Sequence, residues 1–330
     1  MGPGALYLRR QEVDTTRTQF AIPRARFNAS GTTLTPNLRF GMQLAMDNGN
    51  VALNDYFLDY GFTPQVRLRV GQWKQPFSRQ RINAASRLEF LDPAATQGAF
   101  AANRDIGMAI HNDYEQSPRF EYVLGLFNGT GSKTRFSGDV EVDLTTGQGK
   151  INQSGTSNVP DKFYPALVGR IGYNSPGLKG YSEADLEGGP VCFGVAVGSL
   201  INFDIDDDDV SGILAQADYI FKAYGFSTTG GVYFSSGQDG QDFRDQVFAA
   251  VGLHAQASYL IAQRMLPALR YAVIAPDGSN NDFHEITAAF SVFFFAHRLK
   301  WQNEVMSKLR EQSGADTVDY TLRSQVQLVF

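Results

Sequence analysis

The stretch VDYTLRSQVQLVF, Val318 to Phe330, alternates strictly between two kinds of side chain. One parity is apolar apart from Ser324 and ends on the aromatic Phe330, whereas the other carries charged and polar groups such as Asp319 and Arg323. Because successive side chains of a strand point to opposite faces, this segment is predicted to be a strand with one apolar and one polar face. The apolar face would meet a core in a soluble sandwich and lipid in an outer-membrane barrel.

The composition favours the barrel without deciding for it. Apolar residues make up 43% of the 330 residues, yet no run approaches the about 18 consecutive apolar residues of a transmembrane helix. The 33 glycines, 25 phenylalanines and 14 tyrosines suit many short strands, close turns and aromatic girdles. A net charge of −5 argues against a nucleic-acid partner.

Alternating segments recur along the whole chain, and most are close to the roughly 9 to 11 residues that a tilted strand needs to cross a bilayer. Fifteen can be counted: 20–29, 38–46, 52–62, 66–72, 104–111, 120–127, 164–173, 190–201, 210–221, 225–234, 247–259, 267–274, 283–295, 299–310 and 318–330. A bacterial barrel with both ends in the periplasm needs an even number of strands. We therefore predict a sixteenth at residues 4–13, in an all-β, transmembrane antiparallel β-barrel that forms a single domain over residues 1–330.

The connections alternate between short turns and long polar loops, as they do between the periplasmic and outer ends of such barrels. The longest of the polar loops spans about residues 130–161. One connection breaks the alternation, because residues 174–189 are long for a periplasmic turn.

The excursion at about residues 73–103 follows an upward strand, so we expect an inward-folded constriction loop at the outer mouth. A helical turn or two is predicted at residues 83–91, before Asp92-Pro93 ends it. The loop is weakly basic, with four basic side chains against two carboxylates. These candidate pore residues are Lys74, Arg79, Arg81, Arg87, Glu89 and Asp92.

Arginine also recurs on one parity of the strands. We assign that parity to the lumen, because an arginine on the lipid face near the bilayer midplane would destabilise the barrel by roughly 2 to 4 kcal/mol. This basic ladder comprises Arg24, Arg26, Arg39, Arg67, Arg69, Arg170, Arg270 and Arg323. Fixed positive charge in a narrow passage favours anions. Acidic residues on the same parity oppose it, so we expect a weakly anion-favouring pore, with selective anion transport as the alternative.

No catalytic, metal or cofactor site is predicted. Cys192 has no partner at catalytic spacing, and the four histidines show no metal-ligand spacing. The acidic run at residues 204–209 lacks the pattern of a calcium loop and is expected to be a solvated loop, or one bridged to lipid headgroups through cations. A barrel enzyme or adhesin and a soluble all-β binding protein remain as competing functions.

Three motifs in order carry a family resemblance: GQWKQPFS (Gly71 to Ser78), RDIG (Arg104 to Gly107) and GLFNG (Gly125 to Gly129). With PRARF (Pro23 to Phe27), the chain resembles the phosphate-selective porin O and P family. The resemblance implies a sixteen-stranded homotrimeric porin with an inward constriction loop. Phosphate-specific members of that family combine a lysine cluster with an arginine ladder, whereas this loop has one lysine, Lys74.

The expected function is therefore passive diffusion of small hydrophilic solutes and ions across the bacterial outer membrane, with a phosphate- or polyphosphate-selective channel as the alternative. The expected partners are membrane lipid and lipopolysaccharide, two further copies of the chain in a homotrimer, and small anions in transit. Barrels that end on an aromatic strand, as this chain does at Phe330, are recognised by the barrel assembly machinery.

Overall fold

The structure is a computed structural model that describes residues 18–100, 103–129, 135–137, 140–143, 148–151, 155–157, 163, 165–203, 212–237, 249–277, 281–311 and 316–330. Its strands in chain order are β1 (Arg26–Thr33), β2 (Thr35–Ala45), β3 (Ala52–Thr63), β4 (Val66–Lys74), β5 (Arg104–His111), β6 (Phe120–Phe127), β7 (Arg135–Ser137), β8 (Val140–Asp143), β9 (Gln148–Ile151), β10 (Gly155–Ser157), β11 (Ala166–Asn174), β12 (Cys192–Asn202), β13 (Gly212–Ala223), β14 (Phe226–Gly237), β15 (Ala250–Tyr259), β16 (Met265–Pro276), β17 (Phe283–Phe295), β18 (Leu299–Arg310) and β19 (Thr317–Leu328). Two short helices, α1 (Arg79–Ile82) and α2 (Ala95–Ala99), lie between β4 and β5.

Fifteen of these strands form one antiparallel sheet, in which each strand pairs with the next in the order β1 to β6 and then β11 to β19. The strands β7 to β10 form two separate two-stranded pairs. The predicted all-β antiparallel fold is thereby confirmed. The predicted sixteenth strand at residues 4–13, the acidic run at 204–209 and much of the loop at 130–161 lie outside the described residues.

The first described strand begins six residues later than the sequence pattern suggested, at Arg26 instead of residue 20. Pro23 has no N–H to offer a ladder, and the Ala25 N–H donates to the Asp47 side chain (3.0 Å). Local hydrogen bonds therefore hold this stretch outside the sheet.

The sheet has polar side chains inside and apolar side chains outside, the reverse of a soluble domain. On β18, Lys300 and Glu304 are 0% and 1% exposed, whereas the outward Trp301 and Val305 are 42% and 54% exposed. On β12, Phe193, Val195 and Val197 are likewise exposed. An apolar surface of this extent is stable against lipid and not against water. The alternating strands therefore belong to a membrane barrel and not to a soluble sandwich.

The two ends of the sheet differ in the length of their connections. At one end, here called the turn end, the connections include single or paired residues such as Leu34 and residues 224–225. At the other, the loop end, lie residues 75–103 and the long connection between β6 and β11. Exposed aromatic side chains mark the turn end: Phe62, Phe120, Tyr224, Tyr259 and Phe295. No helix among the described residues is long and apolar enough to cross a membrane.

Candidate pore constriction

The connection between β4 and β5, residues 75–103, is here called the constriction loop; its described part, residues 75–100 and 103, folds back into the lumen. The side chain of Ser78 accepts a hydrogen bond from the Arg81 N–H (3.3 Å) and so caps α1. A short 3₁₀ turn follows at Ala85–Arg87, within the predicted 83–91, whereas α1 lies before that range and α2 after it, beyond Asp92-Pro93. Trp73 and Lys74, predicted as its first residues, belong to β4.

Polar groups attach this loop to the inward faces of β13 to β18. The Arg79 N–H donates to Asp218 Oδ2 (2.8 Å), and Gln97 Nε2 donates to the Tyr233 hydroxyl (2.7 Å). Lys300 Nζ donates to a backbone oxygen of the loop at 2.8 Å. Two of these bonds satisfy loop backbone groups that would otherwise be buried without partners, and all three fix the loop against this wall.

Apolar contacts complete the attachment. Phe100 stacks on Tyr233 with ring centroids 5.6 Å apart, and the guanidinium of Arg270 lies 4.3 Å above the Phe90 ring. Phe100 needs a glycine opposite it, because a Cβ built on Gly252 would lie 2.3 Å from its ring. Several side chains in this contact are fully buried, so part of the barrel interior is a packed core.

Two predicted pore arginines lie within that core. Arg170 donates to Asp218 (2.6 Å) and Glu121 (3.0 Å) and to a backbone oxygen of the loop (3.1 Å). Arg270 pairs with Glu285 at 2.7 Å. Removing one partner of such a buried pair typically costs about 3 to 5 kcal/mol, so these arginines hold the loop in place.

A cluster of basic side chains lies at the loop end, beside the first part of the constriction loop. We call Arg26, Lys74, Arg81 and Arg104 the basic cluster; their charges act on one another and on Asp55. Arg104 pairs with Asp55 (2.7 Å), and Arg26 pairs with Asp47 (3.1 Å). Four basic side chains thus face two carboxylates, a formal net charge of +2.

The members of the basic cluster stay oriented through amide groups. Lys74 Nζ donates to the Asn83 backbone oxygen (2.7 Å), and Arg81 Nη2 donates to Asn103 Oδ1 (2.5 Å). Burial, with the charges of Arg104 and Arg26, lowers the pKa of Arg81 to about 10, so Arg81 remains charged at neutral pH.

Asp92 of the constriction loop binds arginines from both edges of the sheet. One carboxylate oxygen accepts from Arg24, which precedes β1, and the other accepts from Arg323 on β19. Arg323 also pairs with Glu304. Burial raises the pKa of Asp92, but the hydrogen bonds and charges of Arg323 and Arg24 outweigh burial and hold it below its ordinary value.

The remaining ladder arginines lie near the turn end and are each neutralised. Arg67 and Arg69 share Asp59 at 2.6 and 3.0 Å, and Arg69 also pairs with Glu115 at 2.9 Å. Arg39 pairs with an aspartate at 2.8 Å. The ladder is therefore a series of ion pairs, and among the described lumen residues the excess positive charge lies in the basic cluster.

Arg87 and Glu89 face a second inward segment, residues 175–191, which we call the turn-end segment. Arg87 Nη1 donates to the Tyr181 backbone oxygen (3.3 Å). Gln256 Nε2 donates both to Glu89 (2.9 Å) and to Glu183 (3.0 Å). Two buried carboxylates are thus joined through one amide.

The surroundings of Glu89 favour its protonated form. Burial and then the charge of Glu183 raise its pKa to about 7, against hydrogen bonds from Ser258 and Gln256 and the charge of Lys222. The charge of Lys300 acts on both carboxylates.

Sequence reasoning missed Arg104 as a pore residue, although its position was visible. It follows the constriction loop directly and opens the RDIG motif, so inward placement at the loop end could have been inferred. Within the described part of the chain, no group of three or more His, Cys, Asp or Glu side chains could hold a metal ion.

Comparison with known proteins places these features in a family. The sequence model of the phosphate-selective porin O and P family matches residues 7–187, which is more than half of the chain and includes the constriction loop. An uncharacterized protein of Aquifex aeolicus (strain VF5) is 22% identical over 313 residues. That match covers 83% of this chain and 66% of the relative, so the chain spans just under two thirds of the relative's length.

Solved structures of porins share the fold at low sequence identity. The anion-selective porin from Comamonas acidovorans matches with a TM-score of 0.53 and 12% identity, over 93% of this chain and 88% of that one. The outer membrane channel DcaP of Acinetobacter baumannii matches with a TM-score of 0.55 and 12% identity, over 91% and 83%. A loop-deletion mutant of OmpT, an outer membrane protein of Vibrio cholerae, gives 0.53 and 10%, over 90% and 88%. The sheet described here is therefore that of an outer-membrane porin barrel.

Proposed function

Because this chain belongs to the phosphate-selective porin O and P family, we propose that it is an outer-membrane porin through which small hydrophilic solutes and ions diffuse down their gradients. The observation that carries this proposal is a sheet with lipid-compatible side chains outside and an inward-folded loop inside. The porin folds of its structural neighbours support the same conclusion.

The pore is proposed to favour anions weakly. Its charged side chains are mostly ion pairs, and the excess falls in the basic cluster, with a formal net charge of +2. That cluster remains in contact with solvent, since Arg26 and Asp47 are 24% and 30% exposed. A modest fixed charge in a narrow passage raises the local concentration of anions without excluding cations.

We assign the predicted site residues to three roles. Arg26, Lys74 and Arg81, with Arg104, border the passage and bias its selectivity. Arg79, Arg170 and Arg270 belong to the buried contact that fixes the position of the constriction loop. Glu89 and Arg87 join that loop to the turn-end segment, and Asp92 joins it to the edge strands.

A phosphate-selective channel is the sharper alternative, and the proximity of four basic groups favours it. Asp55 argues against phosphate selectivity, because its carboxylate already accepts two hydrogen bonds from Arg104, at 2.7 and 3.2 Å, and so occupies donors that a phosphate would need. Phosphate at millimolar concentration should block chloride current in a selective channel and leave it unchanged in a general one.

The contact between Ser182 and His297 bears on whether the barrel could be an enzyme. Ser182 Oγ lies 3.1 Å from His297 Nε2, the arrangement that could activate a nucleophile. However, the other hydrogen bond of the His297 ring is to the Ser86 backbone and not to a carboxylate, so the acid of a catalytic triad has no counterpart there. We propose that the protein has no enzymatic activity.

The proposed partners follow from the membrane setting. The exposed apolar face would contact lipid, and the outer mouth lipopolysaccharide; homotrimer formation and recognition of the C-terminal strand by the assembly machinery complete the proposal. Single-channel recording in a planar bilayer with a salt gradient tests the function. Purified, heat-modifiable protein that never conducts would contradict the porin assignment, and a clear cation preference would contradict the anion bias.

A further inference from the structure

The turn-end segment, residues 175–191, does not behave as a turn at a barrel rim. It connects β11 to β12, whose pairing already ends at Asn174 and Gly194. The side chains of Leu178, Tyr181 and Glu183 are nevertheless buried, Glu183 with only 3% exposed. A rim connection would expose such groups, so this segment lies inside the barrel.

Three hydrogen bonds hold the turn-end segment against β13, β14 and the turn between them. Lys222 Nζ donates to the Ala184 backbone oxygen (2.9 Å), and Ser227 Oγ donates to the Glu183 backbone oxygen (2.5 Å). The Gly225 N–H donates to Asp185 Oδ2 (2.7 Å). The segment is therefore attached to the same wall as the constriction loop.

The two inward segments meet at Glu183. Its Oε1 accepts from Gln80 Nε2 (2.9 Å), and its Oε2 accepts from the Glu89 N–H (2.9 Å) and from Gln256 Nε2 (3.0 Å). Two of these donors are on the constriction loop and the third is on β15. A carboxylate can accept all three bonds at once, whereas an amide would present an N–H where an acceptor is needed.

A stacking contact reinforces the meeting point. The guanidinium of Arg79 lies 4.5 Å above the ring of Tyr181, so α1 rests on the turn-end segment. The backbone of Glu183 also donates to the Arg87 oxygen, at 3.4 Å. The loop is thus supported from the turn end over most of its first half.

We propose that the turn-end segment is a second pore-narrowing element, and that Glu183 is the positioning residue that sets where the constriction loop lies. The inference rests on the proposed porin function. The passage is then shaped from both ends of the barrel, and its width depends on a contact between two inward segments.

A substitution pair tests the positioning residue. Glu183→Gln keeps the side-chain volume but replaces one acceptor with a donor facing other donors, so the loop should loosen. Glu187→Gln is the matched control, because Glu187 lies on the same segment with a 68% exposed side chain that pairs with the exposed Lys179. We expect Glu183→Gln to admit larger neutral polymers and to conduct with more open-channel noise, and Glu187→Gln to match the unaltered protein.

A second variant tests the segment itself. Replacing residues 176–192 by Asn-Gly keeps the register of β11 and β12 and closes them with a favoured two-residue hairpin turn. If the segment narrows the passage, conductance should rise about twofold or more, because the narrowest part of a pore limits its current.

The outcomes separate the two proposals. Absence of current from the unaltered, heat-modifiable protein would overturn the porin function itself. Normal current in the unaltered protein, with the same conductance and polymer cutoff in both altered but folded barrels, would overturn the role of the turn-end segment alone.

Discussion

Reversing the charge of Arg26 should remove the anion preference of the passage. Arg26 begins β1, keeps about a quarter of its side chain exposed, and pairs with Asp47 at 3.1 Å. The pair is only partly buried, and pairs near the surface contribute about 0 to 1 kcal/mol, so the barrel should still fold. Arg26→Glu lowers the net charge of the basic cluster with its two carboxylates from +2 to zero.

The size of the effect follows from Coulomb's law. An ion passing about 8 Å from a unit charge interacts with it by about 0.5 kcal/mol in water. Reversal changes the fixed charge by two units and acts oppositely on anions and cations, so the selectivity changes by about 2 kcal/mol before screening. A Debye length of about 8 Å at physiological salt leaves roughly a third of this, which corresponds to about a threefold change in the anion-to-cation permeability ratio.

The measurement is the reversal potential of single channels in a salt gradient, repeated at two mean ionic strengths. At about 1 M salt the Debye length is about 3 Å, and the difference between the variant and the unaltered protein should nearly vanish. Arg26→Gln removes one unit of charge and should give about half the change in free energy.

The matched control is Arg264→Glu, because Arg264 is exposed in the turn between β15 and β16, away from the basic cluster. It should leave the permeability ratio unchanged. Equal shifts from both reversals, or a shift from Arg26→Glu that persists at high salt, would refute the assignment of selectivity to the basic cluster.

Three further changes probe the packing of the lumen. The pKa of Glu89 is raised to about 7 in the folded protein. Its stabilisation of the contact between the two inward segments is therefore complete below its ordinary pKa of 4.5 and is lost as pH rises through about 7. Single-channel conductance should increase over that pH range, and Glu89→Gln should abolish this pH dependence. Gly252→Val should displace Phe100 and destabilise the folded barrel by about 1 to 3 kcal/mol in a denaturant titration, whereas an unshifted midpoint would contradict the close contact. Asp92→Asn removes the carboxylate between two arginines and should raise anion preference, opposite in sign to Arg26→Glu; a shift toward cations would contradict the geometry.

Much of the fold was accessible from the sequence, because strand alternation is a local property. The pattern in Val318 to Phe330 corresponds to β19, Thr317–Leu328, and the constriction loop was placed within two residues. The inward parity of Arg170 and Arg270 was likewise predictable, since a charged side chain on the lipid face is costly.

The electrostatics of the lumen could not be predicted in the same way. Parity places a side chain inside but does not identify its partner; Arg170 pairs with Asp218, 48 positions away. Whether an arginine faces an open passage or a folded loop depends on such distant contacts. The turn-end segment gave only one signal, an unusual length, because its inward path is set by bonds to β13, β14 and β15.

The binding of Asp92 to Arg24 and Arg323 has a consequence for the order of assembly. The two arginines stand 68 and 231 positions from Asp92 and belong to opposite edges of the sheet. The tip of the constriction loop can therefore complete its contacts only after the first and last parts of the chain have come together. Maturation of the channel interior should lag behind closure of the wall, so a newly inserted barrel would pass through a wider, leakier intermediate before it acquires its final conductance.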